Sequence, residues 1–569
     1  MKLRVFFTIL IAGVFTLLSL SGGAFYWLFT HTPLNLLQGG PIATPSGAMF
    51  VSKSSPLMIS LLVNPDRVEA LNQVFTPPTQ RAIAHSEFNQ IKQSLLTNTD
   101  FNYGRDIQPW LGNEITFAVT NYDFDRDNQN GQKPGFLLAM ASKNPVKSQD
   151  FLEVYWQKRV LAGEDIIFEP YKGVKIIYKQ PDSFFNTPSK FSPDLATAIV
   201  NKFVLFANNP KVLRNAINNL QAVNWSLNNA PEYQKTLGQL EGGRVGLIYL
   251  NFNQLTNWIT QAKPSDQEEI ESPLSSILTL ALATQKEGLL AQTALLAPSN
   301  PQLPKVSLLS KPVKALQYIP PNSFLVAASS NLNQLWQAVS TGLSDNDILE
   351  KIVTQTLADL KISSGIDLPK DIFSWVKGEY ALALLPRLEQ QQTDVIFVAE
   401  KSEESPDVMK KLNAIAQEKG YSIGAFNLED QTLSAWTQLT TNPVNKSEKP
   451  GKTNVIKTEA KGVHATVDNY EIFTTSVASI ADALKAAKTV SFVSNTNFAK
   501  SEEVLPPENH GYFYLDWAES HGSWERQFPL LRLVELSAKP FFDHLRSISL
   551  TSIDQKDGIR RASALIKLQ

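Results

Sequence analysis

The chain has 569 residues, or about three to four domain lengths. Its 43% hydrophobic and 19% charged residues, with a mean hydropathy of −0.14, exclude wholesale disorder. The 52 Lys and Arg residues against 54 Asp and Glu residues give a net charge of −2, so the chain as a whole lacks the basic field that nucleic-acid binding requires. Cysteine is absent, which excludes disulfides, thiolate metal sites and cysteine nucleophiles.

The N-terminal segment has the pattern of a membrane anchor. Lys2 and Arg4 precede 25 uncharged residues at 5–29, and a helix needs about 20 to cross the hydrocarbon core. We therefore predict a signal anchor, or transmembrane helix, at 1–30. Because basic residues stay on the cytoplasmic side, the prediction is a single-pass membrane protein with a cytoplasmic N-terminus and an extracytoplasmic body. A signal peptide cleaved after the small residues at 22–24 is the alternative.

The rest of the chain contains an internal repeat. The segment DIQPWLGNEITFAV at 106–119 matches DIFSWVKGEYALAL at 371–384, at an offset of 265 residues. Farther along, GLIYLNF from Gly246 matches GYFYLDW from Gly511 at the same offset. Five such blocks keep their order, which indicates a tandem duplication.

The repeat predicts the domain organisation. After the anchor we expect a stalk at 31–44, rich in Pro, Gly and Thr, and a first repeat at 45–298. A proline-rich linker at 299–315 then leads to a second repeat at 316–569.

Within each repeat, β-rich runs alternate with amphipathic helical stretches. The KEG and KDG turns, ending at Gly288 and Gly558, separate pairs of apolar runs and predict β-hairpins. The predicted fold class is therefore α+β: one N-terminal transmembrane helix followed by two tandem homologous lobes, each with a largely antiparallel sheet.

A nine-residue element with Asp first, Trp fifth and Glu ninth occurs once in each repeat. An Asp suits the cap of a short helical turn, and a Trp four residues later suits the core. We interpret the element as structural, although two carboxylates and a Trp could also line a binding groove. Its members are Asp106, Trp110 and Glu114 in the first repeat, and Asp371, Trp375 and Glu379 in the second.

Asp123, Asp125 and Asp127 alternate along one segment and are weak candidates for a calcium site. An EF-hand loop needs Gly at its sixth position and Glu at its twelfth, where this segment has Asn128 and Pro134. A solvated hairpin turn is the favoured interpretation, and no other metal site is predicted.

Local motifs give no sign of catalysis or of a cofactor. The six histidines include no H-x-x-x-H or H-E-x-x-H pair, and no G-x-S-x-G element occurs. The GKT at Gly451 lacks the earlier glycine of a phosphate loop, since Ser447 stands there. No catalytic residue and no cofactor are predicted.

The anchor, the stalk and the duplicated body with its repeated Asp–Trp element resemble the domain of unknown function 3352 family, a group of cyanobacterial proteins. The resemblance implies a photosynthetic bacterial host, with the body in the periplasm or the thylakoid lumen. It implies no catalytic or ligand-binding residue.

Two functions from different classes are compatible with the sequence. The first is a non-catalytic binding or assembly factor that is held to the membrane by its one helix and acts on a partner protein. The second is an extracytoplasmic hydrolase that uses carboxylates such as Asp106 and Glu114 in a cleft between the repeats. We favour binding because no site is visible in the sequence.

Overall fold

The structure is a computed structural model. It describes residues 44–66, 101–125, 127, 131–180, 195–241, 243–259, 277–285, 288–296, 308–343, 347–387, 392–428, 430–441, 456–520, 542, 545–556 and 558–568.

In the part of the chain that the structure describes, twenty strands form one hydrogen-bonded sheet. In chain order they are β1 Leu57–Leu61, β2 Leu111–Asn121, β3 Gly135–Ser142, β4 Ile166–Tyr171, β5 Val174–Lys179, β6 Ala196–Val200, β7 Phe203–Ala207, β8 Gly246–Asn251, β9 Ile277–Gln285, β10 Gly288–Leu296, β11 Leu325–Ser330, β12 Glu379–Arg387, β13 Gln392–Glu400, β14 Ser422–Leu428, β15 Gln431–Thr441, β16 Ile456–Val467, β17 Tyr470–Thr474, β18 Tyr512–Asp516, β19 Leu545–Lys556 and β20 Ile559–Leu568.

The strand pairings place the two halves of the chain symmetrically in this sheet. The first half has the spatial order β4-β5-β6-β7-β3-β2-β1-β8-β9-β10. The second half has the matching order β14-β15-β16-β17-β13-β12-β11-β18-β19-β20. The halves join where β10 pairs antiparallel with β20, from Gly288 opposite Lys567 to Leu296 opposite Ile559.

This junction corrects the predicted fold class. The prediction of two α+β lobes with separate sheets is wrong, because one antiparallel sheet runs through both halves. At the join, Ala291 of β10 lies opposite Ala564 of β20. The antiparallel backbone ladder between these two strands is what merges the sheets. The domain boundaries at 298 and 316 stay a prediction.

The predicted transmembrane helix and single-pass membrane location also need correction. In the part of the chain that the structure describes, no helix is both long and apolar enough to cross a membrane. The prediction is therefore not supported, and the segment on which it depended, 1–30, lies outside the described residues.

Helices pack on the two faces of the sheet. Alternate residues of a strand point to opposite faces, and in β3 Leu137 packs with the helix Pro210–Gln221, whereas Leu138 packs with Trp110 and the helix Pro145–Leu161. In chain order the α-helices are α1 Pro145–Leu161, α2 Pro210–Gln221, α3 Pro231–Leu237, α4 Phe252–Ile259, α5 Leu332–Leu343, α6 Asp347–Ser364, α7 Ser405–Glu418, α8 Val477–Lys488 and α9 Thr496–Glu502.

The helices α1 and α2 both begin at an Asn-Pro pair. The Asn144 side chain accepts a hydrogen bond from the backbone N–H of Lys147, and Asn209 accepts one from Lys211. The proline that follows has no N–H to leave unsatisfied and already has a helical φ. These caps fix where each helix leaves the sheet.

An ion pair ties the β4–β5 hairpin to α2 and predicts a pH dependence of stability. Arg214 donates to both carboxylate oxygens of Glu169 at 2.7 Å, which lowers the pKa of Glu169 below its ordinary 4.5. At pH values above about 4.5 the pair therefore contributes its full stabilisation. This contribution is lost as the pH falls through the lowered pKa of Glu169. We expect Arg214→Met to cost about 1 kcal/mol at pH 7, a figure discounted for solvent exposure.

Denaturant unfolding at pH 7, 5 and 3 measures this effect. The difference between Arg214→Met and the unsubstituted chain should shrink toward pH 3. Lys410→Met is the matched control, because Lys410 and Asp407 form a fully solvated pair at 3.2 Å. A difference that stays constant across the three pH values would contradict the assignment.

Candidate binding groove

The two tryptophans of the repeated element are buried and hydrogen-bonded in the same way. Trp110 and Trp375 are each 1% exposed. Their indole N–H groups donate to the backbone carbonyls of Asp106 at 2.7 Å and of Asp371 at 3.1 Å. In each half the ring therefore locks the short turn that precedes it.

The two aspartates close those turns. Asp106 accepts a hydrogen bond from the backbone N–H of Asn102 at 2.8 Å, and Asp371 accepts one from Asp367 at 2.7 Å. The side chain of Arg105 pairs with Asp106 at 2.7 Å and lowers the pKa of that carboxyl. The turns are single π-helical turns, Tyr103–Ile107 and Leu368–Phe373.

The two glutamates of the element hold the beginning of each half. Glu114 accepts from the backbone N–H groups of Ser46 at 3.0 Å and Gly47 at 2.6 Å, which open the 3-10 helix Ser46–Phe50. Glu379 does the same for Lys314 at 2.8 Å and for Ala315 at 3.3 Å. A carboxylate suits a helix start because the free N–H groups carry partial positive charge.

Glu114 and Asp106 thus have different environments. Burial raises the pKa of Glu114, and the N–H groups of Gly47 and Ser46 act in the opposite direction. Asp106 belongs to the turn beside Trp110, whereas Glu114 turns toward the 3-10 helix. The carboxylates serve separate backbone amides and share no hydrogen-bond partner among the described residues.

The structure places the three candidate calcium ligands in the loop between β2 and β3. Asp125 pairs with the Lys133 ammonium at 2.9 Å, and Asp123 accepts from the Lys133 backbone N–H at 3.4 Å. Burial raises the pKa of Asp123, and the neighbouring Asp125 adds to the rise. Asp127 donates its backbone N–H to Asp125. No group of three or more metal-binding side chains occurs within the described residues.

A groove of about 500 Å³ lies where the first π-helical turn meets α1. Its volume falls in the range typical of ligand sites, about 300–1,000 Å³. It is lined by Phe101, Arg105, Asp106, Pro109, Trp110, Lys147, Asp150, Phe151, Val154, Tyr155, Lys158, Arg159 and Ala162.

Aromatic rings form the floor of the groove. The ring of Phe101 lies 5.2 Å from that of Phe151 and 4.9 Å from that of Tyr155, between centroids. Trp110 lies 5.5 Å from Phe151. Val154, on the same side of α1, is 49% exposed. Since exposed aliphatic surface beside aromatic rings is a common contact surface, the floor is suited to an apolar ligand.

Two lysines stand at the ends of this apolar floor. Lys147 and Lys158 are separated by three helical turns of α1, or about 16 Å at 1.5 Å per residue. Neither ammonium group forms an ion pair or side-chain hydrogen bond with the described part of the chain, although the charge of Lys158 helps to lower the pKa of Asp106. Arg159, in contrast, pairs with Glu164 at 3.0 Å. The groove therefore presents two positive charges for an incoming anionic group.

The equivalent place in the second half has different contacts. Lys411 of α7 reaches Asp371 at 2.6 Å, and the ring of Trp336 on α5 lies 5.4 Å from that of Phe373. Leu332 and Val408 pack against the Trp375 cluster. The surroundings of the repeated element therefore differ between the two halves.

The sequence pointed to the repeated element but not to this groove. A signal was present, because Lys147, Phe151, Val154 and Lys158 have the spacing of one helix face. The aromatic partners Phe101 and Trp110 come from another part of the chain, and that proximity is visible only in the fold.

These features define a class of protein: an internally repeated antiparallel sheet, covered by helices, with an open groove in its first half. Residues 10–568 match the family described as Protein of unknown function (DUF3352). This chain belongs to that family, and the resemblance seen in the sequence is confirmed at that level.

The remaining comparisons are distant. A solved structure, described as crystal form I of TP0453, is similar over 46% of this chain and 81% of its own length, with 12% identity and a TM-score of 0.22. A likeness at that score supports no inference about fold or function. No curated protein matches the chain.

Proposed function

We propose that this protein is a non-catalytic binding factor whose first-half groove holds an apolar, acidic segment of a partner protein. The observation that supports it most directly is an aromatic floor flanked by two lysines that form no close ion pair with the described residues. As part of the same proposal, the resemblance to cyanobacterial sequences supports a cyanobacterial host.

Charge and shape together specify the partner's chemistry. An extended apolar strip about three helical turns long matches one face of an amphipathic helix, which is a common mode of peptide recognition. Carboxylates at both ends of that face would meet Lys147 and Lys158, and such pairs raise association rate and specificity. A small ligand without an apolar body would leave the floor uncovered.

The hydrolase is not proposed. It needs two carboxylates that face a common substrate, and Asp106 and Glu114 instead serve the two backbone segments described above.

Peptide titration tests the proposal. The probe is a fluorescein-labelled amphipathic helical peptide with Leu and Phe on one face and Glu spaced to meet the two lysines. We expect Lys147→Glu combined with Lys158→Glu to weaken its binding by about 10- to 100-fold, because each substitution replaces attraction with repulsion.

Two controls make this result interpretable. Lys211→Glu with Lys485→Glu changes the same charge on α2 and α8, both of which pack on the opposite face of the sheet. It should leave binding unchanged. A peptide with Lys in place of Glu should bind the double variant better than the unsubstituted chain.

Crosslinking locates the bound segment. A photoreactive residue at Val154 should crosslink to the acidic peptide, and the unlabelled peptide should compete. Equal losses of affinity in the groove and control variants, or crosslinks only to this chain's own residues, would overturn the proposal.

A further inference from the structure

A second polar feature lies inside the first half, beneath α3 and away from the groove. Arg244 is 7% exposed, and its Nη2 donates to the backbone carbonyls of Leu237 at 3.0 Å and Leu240 at 2.7 Å. Among the described residues, its Nε and Nη1 have no hydrogen-bond partner, and neither has the hydroxyl of the fully buried Tyr233. Three of the eight unsatisfied buried side-chain atoms of the described residues thus belong to this one pair.

The two side chains are electrostatic neighbours. Burial raises the pKa of Tyr233, and the positive charge of Arg244 acts against that rise. Burial also lowers the pKa of Arg244. Within the described residues no carboxylate forms an ion pair with Arg244, and Glu114, which also acts on Tyr233, is already bonded to Ser46 and Gly47.

The second half supplies an internal comparison. At the 265-residue offset, Tyr233 corresponds to Phe498 and Arg244 to Asn509. Phe498 has no polar atom to satisfy, and Asn509 both donates to the Pro506 carbonyl at 3.2 Å and accepts from the Gly511 N–H at 2.9 Å. At the equivalent position of the second half, the fold therefore accommodates two residues without unsatisfied polar side-chain atoms. The unsatisfied donors of Tyr233 and Arg244 are a property of the first half.

We infer that Tyr233 and Arg244 form a buried site for one small anion of the size of chloride. The unsatisfied groups are N–H and O–H donors, so their ligand must supply an acceptor. A buried guanidinium without a counter-charge is costly, so a negatively charged acceptor stabilises it more than water does. The surrounding core of Leu237, Leu240 and Tyr249 limits the ligand's size.

Bromide diffraction and chloride dialysis test this site on the full chain. Crystals soaked in sodium bromide should show one anomalous peak within hydrogen-bonding distance of the Arg244 guanidinium. Equilibrium dialysis with radioactive chloride should show one ion bound per chain, and both Tyr233→Phe and Arg244→Asn should weaken that binding at least tenfold.

Controls separate the site from general ion binding and from misfolding. Tyr514→Phe alters a buried tyrosine of the second half whose hydroxyl donates to Asp516, so it should leave chloride binding unchanged. Tyr233→Phe mimics the second half and should fold normally by circular dichroism. Two results would overturn the inference: water in place of bromide at Arg244, or chloride binding in Tyr233→Phe and Arg244→Asn that equals that of the unsubstituted chain.

Discussion

Replacing Trp110 with alanine is expected to destabilise the protein by about 3–5 kcal/mol, the usual cost of deleting a large buried aromatic side chain. The ring is 1% exposed and packs against Phe151, and its N–H bonds the Asp106 carbonyl at 2.7 Å. The substitution therefore removes core volume and the hydrogen bond to a part-buried carbonyl. Trp375 is equally buried and has the equivalent hydrogen bond, so Trp375→Ala should have an effect of similar size.

Urea unfolding followed by circular dichroism measures this prediction. Trp225→Ala is the matched control, because Trp225 is 58% exposed and its removal should change the free energy of unfolding by less than about 0.5 kcal/mol. Suppose instead that Trp110→Ala has the free energy of unfolding of the unsubstituted chain but no longer binds the acidic peptide. Trp110 would then act in binding, and the structural interpretation would be wrong.

Gly288→Ala is expected to cost about 3 kcal/mol or more, because it combines backbone strain with a steric clash. Gly288 has a φ of 149°, which non-glycine residues rarely adopt. A Cβ atom there would lie 2.1 Å from the backbone oxygen of Ile566, on the strand that pairs with β10. Since that oxygen belongs to the ladder between the halves, relief of the clash must disturb the junction.

Hydrogen exchange read by mass spectrometry locates the damage. In Gly288→Ala, exchange should rise first in peptides from β10 and β20, ahead of those from β4 or β14. Gly424→Ala is the control, because a Cβ there meets no atom within 4 Å. Uniform exchange across the sheet, or protection equal to that of the unsubstituted chain, would contradict this view of the junction.

The sequence predicts local structure well wherever the signal is local. The hairpin around Gly288 follows from turn chemistry, and the residues of the repeated element take equivalent positions in both halves. The order of strands in each half, and the pairing of β10 with β20, depend on contacts between distant segments. No single stretch of residues encodes them, which is why two lobes were predicted and one sheet was found.

The candidate sites likewise combine a signal that is local in the sequence with contacts between distant segments. The face formed by Lys147, Phe151 and Lys158 is readable as helix periodicity, but its aromatic floor is completed by a turn about forty residues earlier. Arg244 gives no sequence signal, because a single arginine is usually solvated. Only its burial beneath α3 shows that two of its N–H groups lack partners.

The symmetric pairing of β10 with β20 has a consequence for how the protein can be divided. Expressed alone, either half would expose one long strand edge of unpaired amide and carbonyl groups, and such edges recruit further strands. Because β10 and β20 occupy equivalent positions and pair antiparallel, we expect two copies of a single half to pair through this edge. Covalent duplication makes that encounter intramolecular and independent of protein concentration. The two halves of the chain therefore stay paired even at high dilution.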